Sequence, residues 1–315
     1  MVRLPTIDIV IVDFNAGEFV RDCIASMELH PPRAARIDRV VLVDNASASP
    51  TSGFLRPTRL PVSIIRNERN LGFAAACNQG ARGSTADYIL FLNPDTELRA
   101  GSLDVPAEFM EDPDNADVGI AGIQLLDDTG RVSRTCSHHP RPSFFFNKAL
   151  GLERVAPSSF PSGMMLDWDH STSSPVDNVI GAFFFVRRTV FEQLSGFDER
   201  FFVYFEETDF GYRASRAGYR TVYLTGAQAI HAGCGSSDSV RARRLVYSMQ
   251  SRMEYARLHF SWPAAALVTL LTLVVEPVTR LLYGIFRGAT SDVRETLTAY
   301  RQLWTNRATN AREGS

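Results

Sequence analysis

The stretch "FFVYFEETDFGYRASRAGY", residues 201–219, sets three carboxylates, Glu206, Glu207 and Asp209, directly behind a run of aromatic side chains. Carboxylates beside Phe201, Phe202, Tyr204 and Phe205 lose part of their hydration, which raises their pKa toward the range useful for a base. The same letters also read as a charged helix start. Acidic residues in a first turn, with Arg213 and Arg216 later, complement the helix dipole, and Asp209 with Arg213 forms a stabilising i,i+4 pair. Neighbouring residues on a helix point about 100° apart, so Glu206 and Glu207 do not face one hydroxyl together. In a helix starting near Glu206, Glu207 points roughly 160° away from the Asp209–Arg213 pair.

A second group closes "YILFLNPD", residues 88–95. Pro94 fixes a turn at the end of an apolar strand, and Asp95 projects a carboxylate from it. That carboxylate suits either a divalent cation held against a diphosphate or a capped turn. His231, ahead of "AGCGSS", is either a satisfied strand-end histidine or a metal ligand, since the small residues after it allow close backbone approach. The adjacent histidines of "CSHH", 136–139, lack ordinary zinc spacing.

Short β-branched runs alternate with helical patterns through the first half of the chain. Strands are expected over 7–14, 39–47, 62–68 and 88–95, a helix over 18–29, and an Ala-rich helix in "GFAAACNQGARG". Such alternation argues for a parallel sheet in an α/β domain, where ligands bind beyond the carboxyl ends of the strands. Polar residues collect at those ends: Asp13 and Asn15, Asp44 and Asn45, Asn67 and Asn70, Asn93 and Asp95. Residues 134–175, rich in Pro, Ser, His and Phe, read as a long, partly mobile excursion. Beyond it a strand is expected at 182–186, a short helix from Arg188 stopping at Gly196, and a last strand pair ending at His231.

A chain of 315 residues with 45% apolar and 22% charged residues buries a sizeable core, as one large domain or two smaller ones. The net charge of -2 gives no nucleic-acid footprint. The four cysteines show no CxxC spacing and no apolar signal precedes the first strand, so a reducing cytosol is the expected setting. "DFNAGEFV" offers one glycine where a dinucleotide fold needs GxGxxG, and no GxxxxGK[ST] occurs, which argues against hydride transfer and ATPase chemistry.

The ordered set "IVIVDFN", "VLVDNAS", "NERNLGFAAACNQG", "ILFLNPD", "GAFFFVRR", "SGFDER", "FFVYFEETDFGYRASRAG" and "IHAGCGSS" resembles the inverting family 2 glycosyltransferases of GT-A fold, and within them the bacterial rhamnosyltransferase-like members. The resemblance spans residues 7 to about 240. It implies a nucleotide-sugar-binding half over 1–125, an acceptor-binding half over 126–240 with Gly181 on the acceptor side, and a helical basic and apolar segment over 241–315. It further implies that Phe14 and Asp44 contact the nucleobase and ribose, and that the segment from Asn70 through Gly72 to Asn78 lines the donor site. "NPD" takes the place of the family's DxD, with Asn93 on the donor and Asp95 binding Mn2+ or Mg2+, while His231 completes the metal site. "FEETD" stands for the family's "FEDVD", making Glu207 the base, with Glu206 or Asp209 orienting the acceptor or capping the helix. Three departures stand out. Asn93 replaces the first Asp of DxD, Glu207 is one methylene longer than the usual base, and Cys234 interrupts the glycine run.

What the resemblance implies is a metal-dependent transferase moving rhamnose from dTDP-rhamnose to a polyprenyl-diphosphate-linked acceptor. The rivals are a UDP-sugar enzyme on the same scaffold and a catalytically silent sugar-nucleotide-binding protein. The tail adds a location. From Arg241 onward 11 arginines face 5 acidic residues, around an uninterrupted apolar stretch of about 13 residues in "PAAALVTLLTLVVEPVTRLLYGIF". That stretch is shorter than the roughly 20 residues of a spanning helix, and Glu276, Pro277 and Arg280 are expected to break it. An interfacial helix pair at the inner face of the plasma membrane is the expected form, with a subdomain packed on the catalytic core or a homodimer contact as the alternatives.

Overall fold

The computed structural model describes residues 3–233 and 238–313, so the Cys234 interruption lies outside the described residues. In chain order the elements are β1 (Thr6–Asp13), α1 (Glu18–Leu29), β2 (Arg36–Asp44), β3 (Val62–Arg66), α2 (Phe73–Ala81), β4 (Tyr88–Leu92), β5 (Thr96–Leu98), α3 (Asp104–Glu111) and β6 (Val118–Leu126). There follow α4 (Pro142–Leu150), α5 (Leu152–Val155), β7 (Ser174–Val176), β8 (Phe183–Arg187), α6 (Arg188–Gln193), α7 (Glu206–Arg216), β9 (Arg220–His231) and α8 (Asp238–His259). A continuous helix, α9 (Trp262–Phe286), and α10 (Thr290–Glu313) close the chain. Contacts divide the chain into two compact units. One is Met1–His139, Met164–Phe202 and Glu206–Cys234; the other is Pro140–Gly163, Val203–Phe205 and Gly235–Ser315.

The first unit is built on one mixed sheet of order β3-β2-β1-β4-β8-β6-β9-β5, with β7 on β9. Strands β1 to β4 pair in parallel, and β8 enters antiparallel between β4 and β6. Every residue of β1, β4 and β6 is buried, as uninterrupted apolar runs require when helices cover both faces. The alternation of β8 sorts its side chains. Phe183 and Phe185 enter the core on the α1 and α3 side, while Phe184 and Val186 enter the core on the α2, α6 and α7 side. In that second core Phe197 lies 4.8 Å from Phe91 and 5.5 Å from Phe210, ring centroid to centroid, so α7 rests on an aromatic bed.

Several expectations are corrected here. The region 134–175 is not one irregular excursion: Pro142–Leu150 and Leu152–Val155 are helical, and Ser174–Val176 is a strand. The "strand pair" before His231 is a single 12-residue strand whose register against β6 shifts between Ile123 and Gln124, opposite Leu224 and Gln228. Strand β5, three residues long, carries too little pattern to be read from sequence.

The apolar tail also departs from expectation, because α9 runs unbroken through Glu276 and Pro277. Its turns at Leu271–Val275 widen to π geometry just before Pro277, which makes room for the ring and for the missing N–H. Glu276 stays inside the helix because it is paired, not solvated. Its carboxylate accepts from Arg252 Nη1 at 2.5 Å and from Arg280 Nε at 2.9 Å, and both Arg252 and Glu276 are 1% exposed. Arg252 comes from α8, and Tyr300 of α10 donates to the Thr272 carbonyl at 2.8 Å, so three helices meet at this point.

Burial pushes the Glu276 carboxyl up, and the attraction of Arg252 and Arg280 together outweighs it, holding the group down at about 2. A carboxyl with a depressed folded-state pKa contributes stability that is complete above its ordinary value of 4.5 and is lost as pH falls toward about 2. Removing one partner of a buried pair costs about 3–5 kcal/mol. Glu276→Gln is therefore expected to lower the protection of α8 amides in hydrogen exchange at pH 7 by that amount, with the difference from wild type shrinking between pH 4.5 and pH 2.

Candidate active site

The site lies at the carboxyl ends of β1, β2 and β4 and at the end of β9, all within the first unit. Beyond β1 the chain turns sharply: Asn15 is left-handed, its N–H donates to Ser47 Oγ at 2.9 Å, and its side chain accepts from Ala48 N–H at 2.8 Å. That turn leaves the Phe14 ring 46% exposed beside the strand ends, a flat apolar face open to a stacking ligand. Asp44, expected to contact the nucleobase and ribose, ends β2. It is 1% exposed and its oxygens accept from Ser47 N–H, Thr51 N–H and, at 2.5 Å, Arg66 Nη1, so its charge is neutralised internally.

The asparagines form a structural net. Buried Asn45 donates to Asn70 Oδ1 at 2.9 Å and to the Gly72 carbonyl at 3.1 Å, and accepts from Asn67 and from Leu71 N–H. The net holds the loop that feeds α2. Gly72 completes it with φ +89°, and a Cβ there would sit 2.5 Å from the Phe202 carbonyl oxygen. The next residue, Phe73, donates its N–H to that same oxygen at 2.6 Å. Thus the start of α2 is bound directly to the chain four residues ahead of Glu206. Asn78, expected to line the donor site, exchanges hydrogen bonds with the Phe197 N–H and carbonyl and reaches Glu199 at 3.0 Å, tying α2 to the loop after α6. Its amide is committed to that strut.

At the end of β4, Asn93 N–H donates to the Ala182 carbonyl at 3.0 Å, and Thr96 N–H closes the NPD turn on the Asn93 carbonyl. Antiparallel pairing of β5 with β9 sets Thr96 opposite His231, which carries the imidazole back to the turn. His231 Nε2 lies 3.3 Å from Asp95 Oδ1 and 3.4 Å from Asn93 Nδ2. One carboxylate oxygen and one imidazole nitrogen thus converge on a common point. Among the described residues no group of three or more His, Cys, Asp or Glu side chains gathers to hold a metal. The pair is a two-donor site, which fits a divalent cation whose remaining positions are filled by diphosphate oxygens and water.

The two glutamates are separated from Asp209 by their environments. Asp209, 1% exposed, accepts from Arg213 Nε at 2.7 Å, and Arg213 continues to the Leu194 and Gly196 carbonyls. Asp209 therefore fixes α7 to the loop after α6, as the sequence pairing indicates. Glu206 and Glu207 each keep a buried Oε2 with no hydrogen-bond partner. Burial pushes Glu207 up to about 7; it also pushes Glu206 well above its ordinary value, with the charge of Glu207 adding to the effect. Gly181, in the turn before β8, faces Glu207: a Cβ there would lie 4.0 Å from Glu207 Cγ and from the Phe73 ring. The lack of a side chain at Gly181 keeps the approach to Glu207 open.

Sequence reasoning placed Asn45 at a strand end without its partners and missed Arg66; together they organise the loops after β2 and β3. Their signal was present in the polar clustering at strand ends, but pairings 22 to 26 residues apart are invisible to local pattern.

The model of the family described as glycosyl transferase family 2 matches residues 8–195. Over 285 residues the chain is 26% identical to the N-acetylglucosaminyl-diphospho-decaprenol L-rhamnosyltransferase of Mycobacterium tuberculosis, covering 82% of this chain and 87% of that protein. It is 27% identical to rhamnosyltransferase WbbL of Escherichia coli over 179 residues, or 55% of this chain and 63% of that protein. Among solved structures, a mannosyltransferase of Pyrobaculum calidifontis in complex with GDP-Man and Mn2+ matches with a TM-score of 0.59 at 15% identity, over 96% of this chain and 88% of its own. TarS of S. aureus matches with a TM-score of 0.51 at 14% identity, over 94% of this chain and 91% of its own. These two likenesses are of fold. Since the family model covers more than half of the chain, including the ends of β1, β2 and β4 that frame the site, this chain is a glycosyltransferase that belongs to glycosyl transferase family 2.

Proposed function

We propose that the chain transfers a sugar, rhamnose from dTDP-rhamnose in the favoured reading, to a polyprenyl-diphosphate-linked acceptor in cell-surface glycan synthesis, with inversion at the anomeric carbon. The observation that carries the chemistry is the buried, unpartnered Oε2 of Glu207 beside Gly181. An acceptor hydroxyl attacks the anomeric carbon, the bond to the diphosphate breaks with its electron pair, and Glu207 takes the hydroxyl proton. A single displacement of this kind inverts configuration. The rhamnosyl part of the reading is supported by the two rhamnosyltransferase relatives, and the polyprenyl part by the one of M. tuberculosis, which acts on a decaprenol-linked sugar.

Phe14 is positioned to stack on the nucleobase, while Asp44 acts on the donor through the Ser47 and Thr51 backbone and Arg66. Asp95 and His231 would hold Mn2+ or Mg2+, which would supply positive charge against the leaving diphosphate, with Asn93 beside them on the donor. Asn93 is uncharged, so the site carries one formal negative charge where DxD carries two.

The exposed face of α9 supports a position at the cytoplasmic face of a membrane. Leu267, Leu270, Val274, Val278, Leu282 and Ile285 recur every three or four residues along it, each about half exposed or more, while Val268, Leu271, Thr272, Glu276 and Gly284 are buried on the opposite side. By length and composition α9 could cross a bilayer. With one face packed on the second unit and a buried ion pair at Glu276, it instead lies along the surface with its apolar stripe in the acyl boundary.

Three outcomes are expected. Glu207→Gln loses about 10² to 10⁴ in transfer rate while donor affinity persists, Glu206→Gln loses less, and Glu207→Asp keeps part of the activity. Because the base acts deprotonated and its folded value is about 7, the wild-type rate rises with pH through that value to a plateau, read as kcat against pH. A wild-type rate from Glu207→Gln sinks the assignment.

Asp95→Ala abolishes, and His231→Ala sharply reduces, the Mn2+-dependent rise in melting temperature with nucleoside diphosphate, while both variants keep the metal-free melting temperature. Activity of Asp95→Ala in EDTA equal to wild type refutes the metal site.

Leu282→Ser with Ile285→Ser weakens co-sedimentation with neutral vesicles at least about tenfold, since each side chain is worth about 1.5–3 kcal/mol on full burial. Unchanged sedimentation, with a concentration-dependent loss of dimer instead, assigns the stripe to self-association.

A further inference from the structure

Beside the apolar stripe, the second unit holds a cavity of about 330 Å³ that the sugar-transfer chemistry does not use. Its lining includes Arg154, Arg280, Tyr283, Arg287, Asp292 and Glu295. Arg280 and Tyr283 lie on α9 and Arg287 caps its end, at three- and four-residue spacing, next to the exposed Leu282, Ile285 and Phe286. Arg154 and Arg287 both stack on the Tyr283 ring, at 5.0 and 5.6 Å from its centroid, and Arg287 also donates to the Tyr283 hydroxyl at 3.2 Å. Arg280 is neutralised by Glu276 at 2.9 Å.

The charges of this cavity are unusual in one respect. Among the described residues, no ion pair joins Arg154 or Arg287 to Asp292 or Glu295, although all four line the same small space. Two guanidinium groups and two carboxylates held apart in this way do not select a bare anion, because the carboxylates repel it. They match a ligand that carries both signs at a short fixed separation. The guanidiniums supply forked donors to a phosphate, and the carboxylates accept an ammonium. A volume of about 330 Å³ is at the small end for a ligand pocket, which suits a headgroup rather than a larger ligand.

We infer that this cavity binds a zwitterionic phosphate ester with a primary ammonium group, the headgroup of phosphatidylethanolamine, with the phosphate on Arg154 and Arg287 and the ammonium on Asp292 and Glu295. The inference rests on the reading that α9 lies along a membrane, since the lipid's acyl chains then continue onto the stripe at Leu282, Ile285 and Phe286. The apolar stripe supplies general adhesion, and the cavity supplies lipid selectivity.

The test is co-sedimentation of the full chain with vesicles of phosphatidylcholine alone, or with added phosphatidylethanolamine or phosphatidylglycerol. Wild type is expected to bind the phosphatidylethanolamine vesicles about tenfold more tightly than phosphatidylcholine, a margin set by charge-assisted hydrogen bonds that the methylated ammonium cannot make. The double variant Arg154→Gln with Glu295→Gln, which leaves net charge unchanged, should drop to the phosphatidylcholine level on both while keeping wild-type affinity for phosphatidylcholine. Soluble O-phosphoethanolamine should release wild type from the phosphatidylethanolamine vesicles at concentrations where inorganic phosphate of matched ionic strength does not. Equal wild-type affinity for phosphatidylethanolamine and phosphatidylcholine overturns the proposal, as does a preference that survives in the double variant. A stronger preference for phosphatidylglycerol overturns it too, since the arginines then act as a diffuse basic surface. Tighter binding of the free ester than of the vesicles reassigns the cavity to a soluble ligand. The Leu282→Ser with Ile285→Ser variant separates the two readings: its loss of binding to all vesicles supports the membrane position whatever the headgroup result.

Discussion

Two carboxyl groups with dry, unpartnered oxygens at the start of one helix are the constraint around which the first unit is arranged. A buried carboxyl without a hydrogen bond is costly unless it stays protonated or meets a ligand, and burial pushes both Glu206 and Glu207 toward the protonated form while leaving one oxygen of each without a partner. The structure tolerates them because their backbone is held from three sides. Asp209 and Arg213 anchor the helix to the loop after α6, Phe210 beds into the aromatic core, and the Phe202 carbonyl is bound by Phe73 N–H beneath Gly72. Stability in the surrounding core offsets a site that is electrostatically poor at rest.

The same constraint explains the order of the sheet. Inserting β8 antiparallel between β4 and β6 brings Ala182 against Asn93, and so brings Gly181, which borders Glu207, to the turn that carries Asp95. Residues 89 positions apart in the chain, Asn93 and Ala182, are joined by this crossover. A purely parallel sheet would carry the turn before β8 to the other end of the strands. The long bulged β9 does comparable work for His231, since its register against β5 delivers the imidazole to Asp95.

The second unit solves a different problem. Its longest apolar helix carries a glutamate and a proline in mid-course, and neither ends it. The π turn absorbs the proline, and two arginines hold the glutamate. A buried ion pair adds little net stability compared with well-packed apolar groups, but breaking it leaves a naked charge. It therefore ties α8 and α9 in one register, which is what allows a single face of α9 to remain apolar and exposed.

Much of this was legible in the letters. The β-branched runs at 7–14 and 88–95, the helix at 18–29, the polar strand ends, the NPD turn and the Asp209–Arg213 pair all follow from local periodicity, turn chemistry and i,i+4 spacing, which act over a few residues. The sequence also indicated family 2 through motifs in order. What it did not disclose were matters of long-range contact. The bonds of Asp44 to Arg66 and of Asn78 to Phe197 and Glu199 join residues 22 to 121 positions apart, beyond the reach of local pattern. Pro277 looks like a helix breaker because the compensating π turn is a response to packing. Whether Glu206 or Glu207 titrates near neutrality depends on burial, and burial is a property of everything packed around a residue rather than of the residue itself.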